Sequence, residues 1–422
     1  MVDPLLEFED LKVHFPVYKG FIQRLLGGGD VRVHAVDGVS FSIREGEVFG
    51  LVGESGCGKS TIARTLVGLV RITAGHLRYR GEDVTDPDRK TLFRLREDIQ
   101  MIHQDPHAAL SPAMTVGQAI SDVIRTHGIR TESGGRVPVT SEEQLREAVH
   151  RALEDVDLRP PQFFYAKYPD ELSGGQKQRV VLARVLVLRP KVVVADEPLA
   201  MLDMSVRARM LEFFLDLKAR FGLTYVFITH DLATAKFVCD RIAIMYLGRV
   251  VEAGPAKTIY GDPKHPYTRA LLDAIPVPDP TKRARKSLPR GEVPDAVFPP
   301  AGCRFHPRCP VALATCGWEG RDFVNFLEER WVDPGHADAE KDLGPLDAWS
   351  YQGRQASRPV AEVDSEALVA RVRQVLSEAP APLAAAVEAV LVEREFVTVV
   401  FREPVPLVPK EVEGRTVECL LY

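Results

Sequence analysis

The stretch that decides the fold is Val48-Phe49-Gly50-Leu51-Val52-Gly53-Glu54-Ser55-Gly56-Cys57-Gly58-Lys59-Ser60-Thr61. The first five residues are apolar or small, as in a buried strand, and residues 59–70 have the composition of a helix. Between them, the chain matches the pattern G-x-x-x-x-G-K-[ST] in the strand–loop–helix context that this pattern requires. We therefore predict a loop that holds phosphate groups.

The residue types of this loop suit that chemistry. Glycines let backbone N–H groups turn toward phosphate oxygens, and the N-terminus of the following helix adds partial positive charge. We expect Lys59 to reach the β- and γ-phosphates of a nucleotide and the Ser60 hydroxyl to bind Mg²⁺. The predicted nucleotide-binding residues of the loop are Gly53, Ser55, Gly56, Cys57, Gly58, Lys59, Ser60 and Thr61.

A second motif is the acidic pair Asp196-Glu197, which ends the β-branched run that begins at Lys191. Such a run is typical of a central strand of a parallel sheet. Alone, an acidic pair at a strand end is most often a helix cap. Combined with the phosphate loop, it predicts that Asp196 holds the Mg²⁺ shell and that Glu197 orients and deprotonates a water molecule.

Strand-like and helix-like segments alternate along residues 1–275, which predicts an α/β domain. The segments outside the two motifs are a strand over 225–229 and helices over 205–221 and 232–239. Residues about 107–185 look mostly helical and predict a helical subdomain within this domain. There, Ser141 and Gln144 have the spacing of a capping box that starts a helix to about Val156, and 131–140 is predicted to be a loop.

The remaining chain predicts a linker and a small extension. Residues 276–300 are rich in proline and contain a basic stretch, which favours an exposed linker. Residues 301–422 are expected to form a cysteine-containing extension with an inserted α+β unit at about 320–412. Its elements are predicted as helices over 364–376 and 382–391 and strands over 396–401 and 416–421.

Composition excludes several classes of protein. The 422 residues include 54 basic and 59 acidic side chains, which gives a net charge of −5 and does not favour a nucleic-acid binder. No apolar run approaches the roughly 20 uncharged residues of a membrane span, and the acidic N-terminus lacks the features of a signal peptide. We therefore expect a cytoplasmic protein that needs other chains for any membrane-spanning part.

Leu172-Ser173-Gly174-Gly175-Gln176 resembles the signature sequence of ABC ATPases and lies just before the acidic strand, as in that family. The other family elements follow the expected order. Gln104 resembles the Q-loop glutamine, His230 the switch histidine, and Leu202-Asp203 the end of the D-loop. Phe15 is the predicted aromatic that stacks on adenine, with Tyr18 as a second candidate and an ordinary core position as the alternative. The resemblance implies the fold of a P-loop NTPase of the ABC ATPase type.

Within ABC ATPases, the chain resembles the ATP-binding subunit of oligopeptide and dipeptide importers. The resemblance covers roughly residues 5–318 and the last few residues, and its motifs are more specific for the ATPase than for the solute. It is carried by Ala35-Val36-Asp37-Gly38-Val39-Ser40-Phe41, Tyr168-Pro169-Asp170-Glu171, His265-Pro266-Tyr267-Thr268 and Gly302-Cys303-Arg304-Phe305-His306-Pro307-Arg308-Cys309-Pro310, besides the phosphate loop. The alternatives left open are an importer of sugars or nickel and a soluble ABC ATPase without a permease.

The resemblance implies a mechanism and partners. Two ATPase subunits, more usually sister chains than identical ones, pack head to tail on two integral-membrane permease subunits at the cytoplasmic face, and an extracytoplasmic solute-binding protein acts indirectly. Each ATP lies between one phosphate loop and the signature of the other subunit. The implied catalytic residues are Glu197, His230 and Gln104, with Gln104 also on Mg²⁺ beside Ser60 and Asp196. The implied nucleotide contacts outside the loop are Phe15, Ser173, Gly175, Gln176, Asp196 and Asp203.

One segment departs from the family pattern. After Pro198 the family usually reads Thr-Ser-Ala-Leu-Asp, whereas this chain reads Leu199-Ala200-Met201-Leu202-Asp203. The serine hydroxyl is absent. Hydrolysis is still expected because the signature and Glu197 are intact, and the departure bears on communication between the two ATP sites.

Six cysteines are present, and two of them, Cys57 and Cys239, are explained by the phosphate loop and by a helix. Cys303, Cys309 and Cys316 have the spacing C-x₅-C-x₆-C, and Cys419 resembles the fourth cysteine of the family displaced to the end of the given sequence. Four thiolates suit a [4Fe–4S] cluster or a Zn²⁺ site, and reduced cysteines without metal are the remaining alternative. His306 and His336 are alternative ligands.

Overall fold

The computed structural model describes residues 3–17, 31–130, 135–275, 291–360 and 364–422. They divide into two compact units, Met1–Asp262 and Pro263–Tyr422. The packing divides the chain before the predicted boundary at residue 275, because Tyr267 and His265 pack against Phe305 within the second unit. Tyr18, the start of the predicted loop at 131–134 and most of the predicted linker lie outside the described residues.

The first unit contains two principal sheets and one short hairpin. Its described strands are β1 (Leu6–Pro16), β2 (Arg32–Ile43), β3 (Val48–Val52), β4 (Ala74–Tyr79), β5 (Glu82–Asp83), β6 (Ile99–Ile102), β7 (Ile129–Arg130), β8 (Arg136–Val137), β9 (Val192–Asp196), β10 (Thr224–Thr229), β11 (Arg241–Tyr246) and β12 (Arg249–Pro255).

The central sheet of this unit has the strand order β12-β11-β3-β10-β9-β6. The strands β11, β3, β10, β9 and β6 are parallel, and β12 is antiparallel to β11. Every residue of β3, β9 and β10 is buried. The predictions of buried strands at 48–52, 191–196 and 225–229 are confirmed, and the α/β class with them.

The second sheet was not predicted. It is antiparallel in the order β2-β1-β4-β5, whereas the sequence interpretation described residues 1–275 only as alternating strands and helices. Leu6, Phe8, Leu11 and Val13 of β1 are buried, and the residues between them are partly exposed. This alternation is the pattern of a sheet with one covered face.

The helices of the first unit lie on the central sheet and in the segment predicted as a helical subdomain. Their bounds are α1 (Lys59–Leu66), α2 (Arg89–Asp98), α3 (Pro106–Ala109), α4 (Val116–His127), α5 (Glu142–Asp155), α6 (Pro161–Tyr165), α7 (Gly174–Leu186), α8 (Met204–Phe221), α9 (Leu232–Val238) and α10 (Ala256–Gly261), with a 3₁₀ turn at Pro169–Glu171.

Two local details differ from the sequence interpretation of the helical segment. The Ser141 hydroxyl accepts from the Gln144 N–H as expected, but the Gln144 side chain accepts from Thr140 N rather than from the N-cap. The segment predicted as a loop over 131–140 contains β8, which pairs with β7. Strand pairing therefore extends into a segment for which the glycine and proline content predicted only a loop.

The second unit combines helices with a four-stranded antiparallel sheet. Its helices are α11 (Pro266–Asp273), α12 (Gly320–Arg330), α13 (Pro334–Ala339), α14 (Ser365–Ser377) and α15 (Ala381–Ala386). Its strands are β13 (Ser350–Gln352), β14 (Gln355–Pro359), β15 (Val387–Glu393), β16 (Phe396–Phe401), β17 (Lys410–Val412) and β18 (Arg415–Val417). The sheet has the order β13-β14-β16-β15 and packs on α12 and α14 around Phe323, Leu368 and Val399.

Two predictions for this unit are corrected. The predicted helix 382–391 is a short helix, α15, followed by β15, because the β-branched residues Val387, Val390 and Val392 pair with β16. The predicted strand 416–421 is only the three-residue strand β18. The helix predicted over 364–376 and the strand over 396–401 are confirmed as α14 and β16.

We expect Phe323→Ala to lower the free energy of unfolding of the second unit by about 3–5 kcal/mol, because it leaves a cavity in the core. Phe323 is fully buried, and its ring centroid lies 5.1 Å from that of Trp349. The chain has three tryptophans, Trp318, Trp331 and Trp349, all within this unit, so tryptophan fluorescence in a denaturant titration reports its unfolding. The control Phe396→Ala, at a residue that is 42% exposed, should cost less than about 1 kcal/mol. Equal costs would contradict this core assignment.

Candidate functional site

The motifs of the first unit meet at one edge of the central sheet. Because β3, β10, β9 and β6 are parallel, their carboxyl ends share an edge. The phosphate loop follows β3, His230 follows β10, the acidic pair ends β9, and Gln104 comes two residues after β6. Residues separated by more than a hundred positions in the chain are thus brought together.

The phosphate loop has the backbone that its glycines predict. Gly58 has φ of 105°, and a Cβ there would lie 2.2 Å from the carbonyl oxygen of Ala35. At Gly53, a Cβ would lie 2.2 Å from the carbonyl oxygen of Met245. Lys59 is buried, and its Nζ donates to the carbonyl oxygens of Gly53 and Glu54 at 2.8 Å. The loop therefore closes around an ammonium group that points back into it.

Two oxygen donors lie beside this loop. The Ser60 hydroxyl donates to Asp196 Oδ1 at 3.1 Å. Burial raises the pKa of the Asp196 carboxyl, and the hydrogen bond from Ser60 partly offsets that effect. A hydroxyl and a carboxylate are the hard ligands that Mg²⁺ prefers. The donor set of this structure therefore fits Mg²⁺.

Glu197 is held from two sides. Gln104 Nε2 donates to Glu197 Oε2 at 3.0 Å, and His230 Nδ1 lies 3.0 Å from Glu197 Oε1. The Glu197 side chain is 17% exposed, whereas that of His230 is 61% exposed. Glu197 also has a left-handed backbone, with φ of 46°. The structure therefore unites the three predicted catalytic side chains in one hydrogen-bonded group.

The signature sequence forms the start of α7. The Ser173 hydroxyl accepts from Gln176 N at 3.3 Å, and the Gln176 side chain accepts from Ser173 N at 2.9 Å. This reciprocal pair is a capping box. A Cβ at Gly175 would meet Val206 at 3.4 Å. The side chains of Ser173 and Gln176 are thus engaged with the helix terminus within this chain.

The segment with the family departure is supported by an arginine that the sequence interpretation missed. Arg207 donates from Nε to the carbonyl oxygen of Leu202 at 2.8 Å and from Nη2 to that of Ala200 at 3.3 Å. Met201 is 60% exposed, and Asp203 is the N-cap of α8. The sequence signal for this role was a positively charged residue near the start of a helix, where its side chain can reach the carbonyl oxygens of the preceding loop.

Phe15, the predicted adenine-stacking residue, lies near the end of β1 opposite Val33. Its side chain is 39% exposed. The position therefore leaves an aromatic face available, in contrast to the core position that the sequence also allowed.

In the second unit, the four predicted metal-ligating cysteines line one small apolar pocket. Cys303, Cys316 and Cys419 are buried, and Cys309 is partly exposed. Burial raises the pKa of the Cys303 thiol to about 12 and that of Cys309 to about 11. The structure thus unites Cys419 with three cysteines that precede it by more than a hundred residues.

The two histidines named as alternative ligands differ from each other. His306 lines the cysteine pocket, but its Nδ1 lies 2.7 Å from the Cys303 carbonyl oxygen and its Nε2 lies 3.4 Å from Asp322 Oδ2. His336 lies on α13, where its Nδ1 is 3.9 Å from Glu340 Oε1. Both ring nitrogens of His306 therefore contact other groups of the protein, and His336 is not among the residues that line the pocket.

The spacing of the four sulfurs tests the fit of a metal. A tetrahedral zinc site with Zn–S bonds of about 2.3 Å has sulfurs roughly 3.8 Å apart. Among the described residues, no three of the four cysteines have sulfurs that all lie within 4.8 Å of one another. The sulfurs are therefore spaced more widely than those of a preformed tetrahedral zinc site.

No described helix is both long enough and apolar enough to cross a membrane.

Comparison with known proteins agrees with these motifs. Residues 36–200 match the family model of the ABC transporter, and residues 251–316 match that of the oligopeptide/dipeptide transporter C-terminal region. The oligopeptide transport ATP-binding protein OppF of Escherichia coli is 42% identical over 74% of this chain and 90% of its own length. The di/tripeptide transport ATP-binding protein DppF of Pseudomonas aeruginosa is 41% identical over 80% and 99%.

Solved structures show the same architecture. The cbiO1 protein of Clostridium perfringens, described as part of the ABC transporter complex cbiONQ, matches with a TM-score of 0.50 and 29% identity. The match covers 62% of this chain and 92% of that protein. With more than 40% identity over nearly the full length of its relatives, this chain belongs to the ATP-binding proteins of oligopeptide/dipeptide ABC transporters.

Proposed function

We propose that this chain hydrolyses ATP to drive the import of peptides through a membrane permease. The observation that carries the catalytic part is the Glu197 carboxylate, held 3.0 Å from both Gln104 and His230 at the carboxyl edge of the central sheet. The match to the C-terminal region of oligopeptide/dipeptide transporters supports the transport part.

The reaction is the attack of water on the γ-phosphorus of ATP, which breaks the bond to the departing ADP. Glu197 orients this water and takes its proton as the new P–O bond forms. Its partner His230 holds the carboxylate in position and would donate to the γ-phosphate. Gln104 fixes the other carboxylate oxygen, so both oxygens of the base are held.

The phosphate loop supplies binding and electrostatic stabilisation. Its backbone N–H groups and the N-terminus of α1 would bind the phosphates, and Lys59, which contacts the carbonyl oxygens of Gly53 and Glu54, would bind the β- and γ-phosphates. Ser60 and Asp196 would hold Mg²⁺, with Gln104 as the third proposed ligand, and the ion would supply positive charge that stabilises the phosphate oxygens. Phe15 stacks on the adenine.

The signature acts in trans. Ser173, Gly175 and Gln176 begin α7, so the positive end of that helix is available to a phosphate group of a second ATPase subunit. Two subunits packed head to tail would each complete the other's site, with Asp203 at the contact between them. ATP then favours the closed pair and hydrolysis favours the open one, because only ATP bridges both surfaces.

The proposed assembly places the chain at the cytoplasmic face of the membrane. Two permease subunits span the membrane, a sister ATPase is the second nucleotide-binding subunit, and a solute-binding protein delivers the peptide outside. The helical subdomain and Gln104 would pass the state of the ATP site to the permease. Import of sugars or nickel is the alternative within the same machinery, and the relatives' names favour peptides.

A second function, metal binding, is supported by the cysteine pocket of the second unit. We propose that Cys303, Cys309, Cys316 and Cys419 hold a [4Fe–4S] cluster, with a Zn²⁺ site as the alternative. All four line one largely apolar pocket, and His306 contacts the Cys303 carbonyl oxygen. The cluster would join distant parts of the second unit.

We expect Glu197→Gln to lower ATP turnover by about 10²- to 10⁴-fold, because the amide keeps the shape of the side chain but cannot take a proton. Nucleotide affinity should be retained, since the phosphate loop is unchanged. Phosphate release and fluorescent-nucleotide binding measure the two properties. The control Glu212→Gln alters an exposed residue of α8 and should leave turnover unchanged. Wild-type turnover in Glu197→Gln would refute the assignment of the base.

Transport coupling is tested by isolating the chain with its permease. We expect an affinity-tagged chain to co-purify with two integral-membrane subunits, and the reconstituted complex to hydrolyse ATP several-fold faster when a peptide-loaded binding protein is present. Stimulation by a sugar or by nickel instead of peptides would indicate that the transported solute is a sugar or nickel. A monodisperse soluble chain whose turnover is independent of any membrane subunit would contradict the coupling.

For the cysteine pocket, we expect anaerobically purified protein to contain about four iron and four sulfide per chain, with visible absorption that dithionite bleaches. Cys419→Ser should lose most of this iron, because it removes one ligand. The control Cys239→Ser, at a buried cysteine of the first unit, should keep it. A content of one zinc and no iron per chain would instead indicate a structural zinc ion. Absence of both metals would refute this metal site.

A further inference from the structure

Two histidines and a carboxylate meet on the antiparallel sheet of the first unit. His14 Nε2 lies 2.9 Å from Asp37 Oδ1, and His34 Nδ1 lies 3.4 Å from Asp37 Oδ2. The centroids of the two imidazole rings are 4.2 Å apart. In the part of the chain that the structure describes, only these three residues among His, Cys, Asp and Glu form a group with ligand atoms all within 4.8 Å of one another.

A β-bulge in β2 creates this group. Val13 pairs with Val36 and the next residue, His14, pairs with His34, so Ala35 is an extra residue without a partner in β1. In a regular strand, residues three positions apart point to opposite faces. The extra residue reverses this relation, so His34 and Asp37 share a face, as their contact shows. Bulges often re-aim side chains at functional sites.

The chemistry and spacing of the three side chains suit a metal ion. Imidazole nitrogens and a carboxylate oxygen bind Zn²⁺ at about 2.0–2.1 Å, which places tetrahedral ligand atoms roughly 3.3 Å apart. His14 Nε2 lies 2.9 Å from one Asp37 oxygen and His34 Nδ1 lies 3.4 Å from the other, and one ligand atom from each of the three residues lies within 4.8 Å of the other two. The side chains are only 15%, 32% and 18% exposed, so their positions are largely fixed by packing.

We propose that His14, His34 and Asp37 form a binding site for one divalent transition-metal ion of the zinc type, made of residues that belong to neither the ATP site nor the cysteine pocket. Two imidazoles and one carboxylate leave a coordination position for water. This donor set is softer than the oxygen ligands that Mg²⁺ and Ca²⁺ require, and it therefore selects zinc-like ions over them.

The backbone of this site is joined to the phosphate loop. Asp37 N donates to Gly248 O at 2.8 Å, and Gly248 N donates to Cys57 O at 3.0 Å. The carbonyl oxygen of the bulge residue Ala35 lies where a Cβ at Gly58 would approach to 2.2 Å. An ion that fixes the bulge therefore also fixes one side of the loop. The expected change in nucleotide affinity rests on the proposed ATP site, whereas metal binding itself does not.

The test compares four full-length proteins freed of metal by a chelator: wild type, His14→Gln, His34→Gln and His76→Gln. His76 is a matched control, because it pairs with Asp83 at 2.8 Å on the same sheet but belongs to no group of three ligands. Each protein is titrated with Co²⁺, whose visible spectrum reports its ligands, and then with Zn²⁺ in competition. The cysteine pocket is the same in all four proteins and cancels in the comparison.

We expect wild type and His76→Gln to bind one more Co²⁺ per chain than His14→Gln and His34→Gln. The additional ion should give weak visible bands without the intense near-ultraviolet absorption of thiolate ligands. Removal of a group that merely orients a ligand costs about 10- to 100-fold in affinity, so loss of a ligand should cost at least that much. Thermal unfolding confirms that each variant is folded. Asp37→Asn provides a further variant, which removes the proposed carboxylate ligand.

Equal Co²⁺ stoichiometry and affinity in all four proteins would overturn the proposal. The affinity for a nonhydrolysable ATP analogue, measured with and without Zn²⁺, tests the link to the phosphate loop. A shift in wild type that is absent in His34→Gln supports the link. Failure of every protein to bind the analogue would sink the proposed ATPase function and leave the metal stoichiometry as an independent result.

Discussion

The parallel pairing of β3, β10, β9 and β6 is the constraint on which the ATP site depends. Each strand delivers one part of the site at its carboxyl end, so the site exists only while all four strands keep their register. Every residue of β3, β9 and β10 is buried. A shift of one strand by one residue along its neighbours would therefore move an apolar residue out of the core or a charged residue from the strand end into it. Hydrophobic burial of the strands therefore determines where Glu197 can be relative to Lys59.

The two halves of the ATP site are prepared differently. The phosphate loop is preorganised by Gly53 and Gly58, whose neighbours leave no space for a side chain, and its lysine already occupies the interior of the loop. The base is oriented by two side chains from neighbouring strands, one of them largely exposed. A phosphate loop fixed by backbone contacts thus lies beside a base that two side chains hold, and one of these, His230, is largely exposed.

Much of this site could be predicted from the sequence, because its parts are local motifs with strict residue requirements. Gly53 to Thr61, Asp196-Glu197 and the signature each carry their own backbone signal. The antiparallel sheet of β1, β2, β4 and β5 was missed, since half-covered strands give a weaker pattern than buried ones. The helix predicted over 382–391 failed for another reason: pairing with β16 overrides the helical propensity of its alanines. The grouping of His14, His34 and Asp37 depends on a bulge, which the spacing of these residues does not reveal.

The sheet and helices between Cys316 and Cys419 form a segment whose two ends lie close together. Val405 N donates to Thr315 O at 3.2 Å, so the segment leaves and re-enters at nearly the same place. For an unstructured segment of that length, the entropy of closing the loop would oppose the meeting of the last cysteine with the other three. Here the folding of the intervening segment has already closed the loop. The fourth thiol is then present at a high effective concentration, as if it were tethered by a short linker. A segment of this size can therefore lie between the third and fourth cysteines without weakening the pocket that they line.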